Sequence, residues 1–122
     1  MSQQTPFESR FVAQRGSLIT VKTPLCDSSN FAIVVSNDLQ NELSDFLLVV
    51  PLQRRVSRLN APFAVDLGRG EGLRDLHTAR CDWLSRMRRS EIASIERAQL
   101  SDRVMVRFEG ALKVALGFRD VI

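Results

Sequence analysis

The chain holds little of what catalytic and metal centres are usually built from: one histidine, His77, and two cysteines, Cys26 and Cys81, among 122 residues. The cysteines stand far apart, with no CxxC and no companion histidine at ligand spacing, which speaks against a zinc site and against a disulfide framework. Lysine is scarce too, two residues against fifteen arginines. No run approaches the roughly 18 apolar residues that a membrane-spanning helix requires. In MSQQTPFESRFVAQR no apolar stretch follows the charges, so no secretory signal is expected. Internal repeats and low-complexity segments are absent. Together these absences point to a reduced, cytoplasmic setting with both thiols free, no bound metal, no cofactor and no membrane.

What is present suits one small domain. With 44% hydrophobic residues the chain can bury a core, yet a domain this size keeps much of its surface and often gains stability by pairing with its own copy. The formal charge is +3. Arginine offers bidentate phosphate contact and stacking on bases, as an RNA binder needs, although genome composition could impose the same bias.

Residues 1–14 are polar and read as a loose N-terminal segment, leaving 15–122 as a single domain. Ser17–Thr23 alternates with period two, as a half-buried strand does. After a polar link, Phe31–Ser36 is a continuous apolar run and reads as a central strand. Leu39–Ser44 holds a single helical turn. Phe46–Leu52 is another buried strand, with Pro51 setting its end at an edge or bulge. A basic loop, Gln53 to Ala61, leads to a short strand over Pro62–Leu67 and a flexible turn at Gly68–Gly72. Leu76–Trp83 reads as a strand, Ser85–Ser90 as a basic link, and Ile92–Leu100 as a last strand. Ser101 and Asp102 then start a helix, in which Val104, Phe108, Ala111, Leu112, Ala115 and Leu116 fall at helical spacing before Gly117. Short strands separated by turns predict a mainly β fold: a small barrel closed by one C-terminal helix.

Arg15-Gly16 before a strand, FAIVVSND, FLLVVPL, PFAVDLG, ARCD and LSDRVMVRFEGALKVALGF resemble the MazF/PemK/Kid toxins in order and spacing. The similarity spans roughly residues 15–118 and rests on collinear arrangement, no single motif being specific. It implies an SH3-like barrel of the MazF/CcdB kind, a homodimer with an RNA groove across its interface, and an antitoxin partner that blocks the groove. It also implies metal-independent cleavage of single-stranded RNA. The RNA's own 2′-hydroxyl would attack the adjacent phosphate, leaving a 2′,3′-cyclic phosphate and a 5′-hydroxyl.

That chemistry asks for a base near the 2′-hydroxyl, positive charge on the phosphorane and a proton for the leaving oxygen. Arg80 and Asp82, two apart on the expected strand, project from one face with Thr78, opposite an apolar face of Ala79, Cys81 and Trp83. They match the Arg-x-Asp of Kid-type toxins, though the same pair also reads as a plain ion pair on a barrel face. Arginine holds its proton too tightly to be an efficient general acid, so Arg80 is expected to act by electrostatic stabilisation, with water as the acid. The same neighbour should lower the pKa of Asp82. His77 falls on the opposite face by its odd offset and reads as structural, with an acid role as the alternative.

For RNA binding, Gln53, Arg54, Arg55 and Arg58 form a basic loop. Phe63 matches an RNA-contacting aromatic of the family, yet alternates with Val65 and Leu67 as a core residue would. Arg86, Arg88 and Arg89 could grip phosphate or an acidic antitoxin tail, or simply be solvated. Several positions depart from the family. Asn30-Phe31 replaces its Arg-Pro, which makes Asn30 a further candidate, and Gln53-Arg54 replaces its Thr-Ser. The first loop, PLCDSSN, is short and lacks the usual Gly-x-Glu-Gln. The resemblance therefore leaves two other readings open: a CcdB-type gyrase-binding toxin, and an inactive relative that only binds its antitoxin.

Overall fold

Two stretches, FAIV and FLLVV, are apolar without alternation, which suits strands covered on both faces. A computed structural model, describing residues 13–25, 29–54 and 61–118, places both at the centre of a seven-stranded antiparallel sheet. The strands are β1 (Ser17–Val21), β2 (Phe31–Val34), β3 (Phe46–Arg54), β4 (Ala64–Leu67), β5 (His77–Arg80), β6 (Ser85–Arg88) and β7 (Ile92–Gln99). Helix α1 (Asp38–Leu43) links β2 to β3, and α2 (Asp102–Leu116) ends the described chain. The spatial order is β4-β5-β3-β2-β1-β7, and β6 also pairs with β3.

Alternation along the strands feeds two cores. Leu18, Ile33 and Val50 lie in register across β1, β2 and β3 and join Leu52, Val65, Ala79 and Cys81 beneath α2. Ile19, Ala32, Val34 and Val49 point the other way, into a second cluster with Ala13, Leu47 and Met87. Each fully buried Leu, Ile or Val is worth about 1.5–3 kcal/mol of hydrophobic stabilisation, so the two-sided burial of β2 and β3 makes them the sheet's anchor. Ala13, placed in the loose segment by the sequence, is buried in the second cluster.

Helix α2 follows its sequence signals. Ser101 accepts a hydrogen bond from the Val104 N–H (3.3 Å), and Gly117 closes the helix at φ +79°. Val104, Met105, Phe108 and Ala111 are buried, whereas Leu116, expected on the packed face, is exposed.

Several boundaries differ from the sequence expectation. Pro51 is buried inside β3, which runs on to Arg54. It lies between the stretch of β3 paired with β6 (46–49) and the stretch paired with β5 (52–54), where a missing N–H costs no bond to either strand. The basic link is a strand, β6, because Met87 fills the second core while Arg86 and Arg88 point outward. Residues 68–72 are a capped 3-10 turn (Arg69–Glu71), the Glu71 carboxylate accepting from the Gly68 N–H at 2.7 Å. Gly72 has φ +93°, and a Cβ there would lie 2.5 Å from the Ala98 Cβ. Glycine thus lets the turn after β4 lean on β7. Among the described residues no ladder joins β4 to β7, so the sheet is barrel-like without being closed by hydrogen bonds.

Candidate functional site

Strand β5 stops at Arg80. The expected continuation to Trp83 is instead a 3-10 turn, Cys81–Trp83. Buried Cys81 pins the turn in the core, and its N–H donates to the Phe63 carbonyl at 3.1 Å. With Ala79 and Cys81 held inward, Arg80 and Asp82 turn outward, as expected, but the turn rather than strand alternation sets their geometry.

They form a two-point pair: Arg80 Nε donates to Asp82 Oδ1 at 2.9 Å and Nη2 to Oδ2 at 2.7 Å. The side chains are 18% and 30% exposed, open enough to meet a ligand. The hydrogen bonds from Arg80 hold the Asp82 carboxyl below the usual carboxylate range, against an opposing effect of burial and with the guanidinium charge reinforcing it. The same bonds raise the Arg80 guanidinium above its ordinary value. Arg80 therefore stays charged and Asp82 stays ionised. Burial, with help from the Asp82 charge, pushes the Cys81 thiol up to about 12, which leaves it protonated and unreactive at neutral pH.

Two aromatic rings abut the pair. The Arg80 guanidinium carbon lies 4.1 Å from the centre of the Trp83 ring and 5.6 Å from that of Phe63, both within cation–π range. Trp83 was expected on the apolar face. It is 36% exposed instead, because the 3-10 turn rotates it out of the strand's alternation. Phe63 is half-buried, so it neither joins the core as Val65 and Leu67 do nor stands free.

Beside the pair, a polar row crosses three strands. Gln53, Thr78 and Asp66 are register partners on β3, β5 and β4, and the Thr78 hydroxyl donates to Asp66 at 3.2 Å. Thr78 is only 1% exposed, so a ligand meets its neighbours before it. Sequence reasoning missed Asp66 as well as Trp83. The signal for Asp66 was a carboxylate interrupting the apolar PFAV-L strand.

The remaining candidates are dispersed. His77 is 2% exposed; its Nδ1 donates to the Asp75 carbonyl at 2.9 Å and its ring meets Phe31 edge-on. Asn30 is exposed, and its carbonyl accepts from the Val21 N–H. Arg54 pairs with Asp75 at 3.2 Å in an exposed bridge of the kind that contributes about 0–1 kcal/mol. Arg55, Arg58 and Cys26 lie outside the described residues. Arg86 and Arg88 stack on Phe46 at 4.1 and 4.9 Å, and Arg89 donates to the carbonyls of Asn41 and Ser44 at the end of α1. Among the described residues no three His, Cys, Asp or Glu side chains gather as a metal ion would require, and no helix is long and apolar enough to cross a membrane.

A family model described as "PemK-like, MazF-like toxin of type II toxin-antitoxin system" matches residues 14–116. No curated protein matches the chain in sequence. Among solved structures, the fold is similar to an endoribonuclease from mycobacterial species: 21% identity, TM-score 0.73, covering 90% of this chain and 96% of that one. A mycobacterial endoribonuclease in complex with its cognate antitoxin is similar at 19% identity and TM-score 0.73, covering 89% and 99%. A MazE–MazF structure from Deinococcus radiodurans is similar at 22% identity and TM-score 0.68, covering 89% and 100%.

Proposed function

Because the chain belongs to the PemK-like, MazF-like toxins of type II toxin–antitoxin systems, we propose that it is an endoribonuclease that cuts single-stranded RNA without a metal ion, through a 2′,3′-cyclic phosphate. The observation that carries the reading is the Arg80–Asp82 pair, held outward by a core-anchored turn and joined through two hydrogen bonds. Arg80 has donors beyond the two that Asp82 accepts, and these suit the oxygens of a phosphorane. Asp82 accepts the proton of the 2′-hydroxyl, or orients that hydroxyl, as the 2′-oxygen attacks phosphorus. The bond from phosphorus to the 5′-oxygen then breaks, and water protonates the departing oxygen. The lowered pKa weakens Asp82 as a base but guarantees that it is ionised.

Phe63, half-buried beside Arg80, suits stacking of a base. Gln53 and the Thr78–Asp66 bond offer polar contacts on the same sheet, and Arg54 at the end of β3 adds backbone attraction that salt would weaken. An antitoxin would cover this surface. A second copy of the chain would cover exposed apolar side chains of α2 and its end, Val106, Val114, Leu116 and Phe118.

The test is incubation of purified, antitoxin-free protein with a long RNA in EDTA, beside Arg80→Ala and Asp82→Ala proteins, with end-group mapping. The reading expects discrete cuts bearing cyclic phosphate, lost in both variants. Well-folded protein that cuts none of a varied set of RNAs would leave a scaffold that only binds its antitoxin, the reading to which the departures at Asn30 and Gln53 lend support.

A further inference from the structure

Trp83 has no part in the chemistry just described, yet it touches the charged group on which that chemistry depends. Its ring centre is 4.1 Å from the Arg80 guanidinium carbon, nearer than Phe63 at 5.6 Å. The indole is 36% exposed, so it lies at the surface beside the pair rather than in the core. The local backbone sets its direction: the 3-10 turn Cys81–Trp83, closed by the Leu84 N–H donating to the Cys81 carbonyl at 3.3 Å, leaves the indole against Arg80.

We infer that Trp83 is a positioning residue for Arg80: the indole face holds the guanidinium plane, Asp82 fixes its rotation within that plane, and the donors Asp82 does not engage are thereby aimed at one place. The inference rests on the nuclease reading above. Asp82 accepts from Nε and Nη2, so Nη1 takes part in neither bond of the pair. Two in-plane bonds alone leave the guanidinium able to tilt about the axis of Asp82. A flat, polarisable face at stacking distance removes that freedom, since a guanidinium keeps its attraction to a ring while its edge donors stay available. Preorganised donors matter most where charge develops in the transition state, and a displacement of about 1 Å there can cost about 10²-fold in rate.

The experiment compares kcat and KM for a short single-stranded RNA containing a mapped cut site, using full-length wild-type, Trp83→Leu and Trp83→Phe proteins of verified fold. Trp83→Leu keeps apolar bulk without a π face and is expected to lose about 10–100-fold in kcat with KM within about threefold, while Trp83→Phe recovers most of the loss. Trp83→Leu cutting as fast as wild type would overturn the inference and leave the nuclease reading intact. So would a loss confined to KM, which marks a base platform, or a Phe variant as slow as the Leu variant. Wild-type protein that does not cut fails the nuclease reading itself, and the inference falls with it. If Trp83→Leu does not fold, emission decides, because Trp83 is the one tryptophan of the chain. Arg80→Ala shifts its intensity and wavelength if the stack exists in solution, and unchanged emission overturns the inference.

Discussion

Two arginine-bearing stretches lie close together on the chain, at Arg80–Trp83 and at Arg86–Arg89, and the fold uses them differently. In the second, Arg86 and Arg88 flank the Phe46 ring, and Arg89 reaches under α1 to the carbonyls of Asn41 and Ser44. Those carbonyls are orphaned at a helix end and need donors, so Arg89 is a cap, and its charge is spent on structure. In the first, Arg80 meets a carboxylate and an exposed indole, neither of which requires it for folding. Counting basic residues treats the two stretches alike. Their partners separate Arg80 from Arg89: the Arg89 guanidinium, committed to part-buried backbone carbonyls, is not available to a phosphate, whereas Arg80, held only by surface groups, is.

The largest test of this contrast is catalytic. Arg80→Ala should lower RNA cleavage by about 10²–10³-fold, the range for removing a donor to a developing oxyanion, while the Arg86→Ala, Arg88→Ala double variant stays within about threefold at low salt, losing only a stack on Phe46. Equal losses in gel-based cleavage rates would erase the distinction.

Next in size is stability. Arg89→Ala strips the carbonyls of Asn41 and Ser44 of a donor, so urea unfolding should show a loss of about 1–3 kcal/mol, with the cutting rate per folded molecule unchanged. A variant as stable as wild type would mean that water caps α1 equally well.

The smallest effect is a titration. Asp82 should titrate by carboxyl NMR below the ordinary aspartate value of about 3.9, and Arg80→Ala should raise it toward that value. Because the folded-state pKa is the depressed one, the pair's contribution to stability is complete above the unfolded value and is lost as pH falls through the folded one. Asp82 titrating with the exposed carboxylates in wild type would show that the two-point bond does not persist in solution.

Much of this was legible from residue order. Uninterrupted apolar runs marked the strands covered on both faces, and Ser101 and Gly117 bounded α2 through their own side-chain and backbone chemistry. The Arg-x-Asp spacing brought Arg80 and Asp82 together even though the regular strand expected there ends at Arg80. Ala79 and Cys81 are apolar and must go inward, which sends their neighbours out whether the backbone is strand or 3-10 turn. What alternation could not reach was Trp83, two residues past the buried Cys81, where three residues to a turn replace a period of two.

By itself, then, the sequence determined what depends on neighbours along the chain: which runs are buried, where α2 starts and stops, and that Arg80 and Asp82 share a side. The tertiary structure alone decided what depends on distant partners. Arg89 finds its carbonyls 48 and 45 residues away, Thr78 meets Asp66 across a ladder, and Gly72 is required because Ala98 of another strand stands in the place of its side chain. Local propensity acts over a few residues, whereas a long side chain's partner is set by how the sheet curls, and no short-range pattern encodes that.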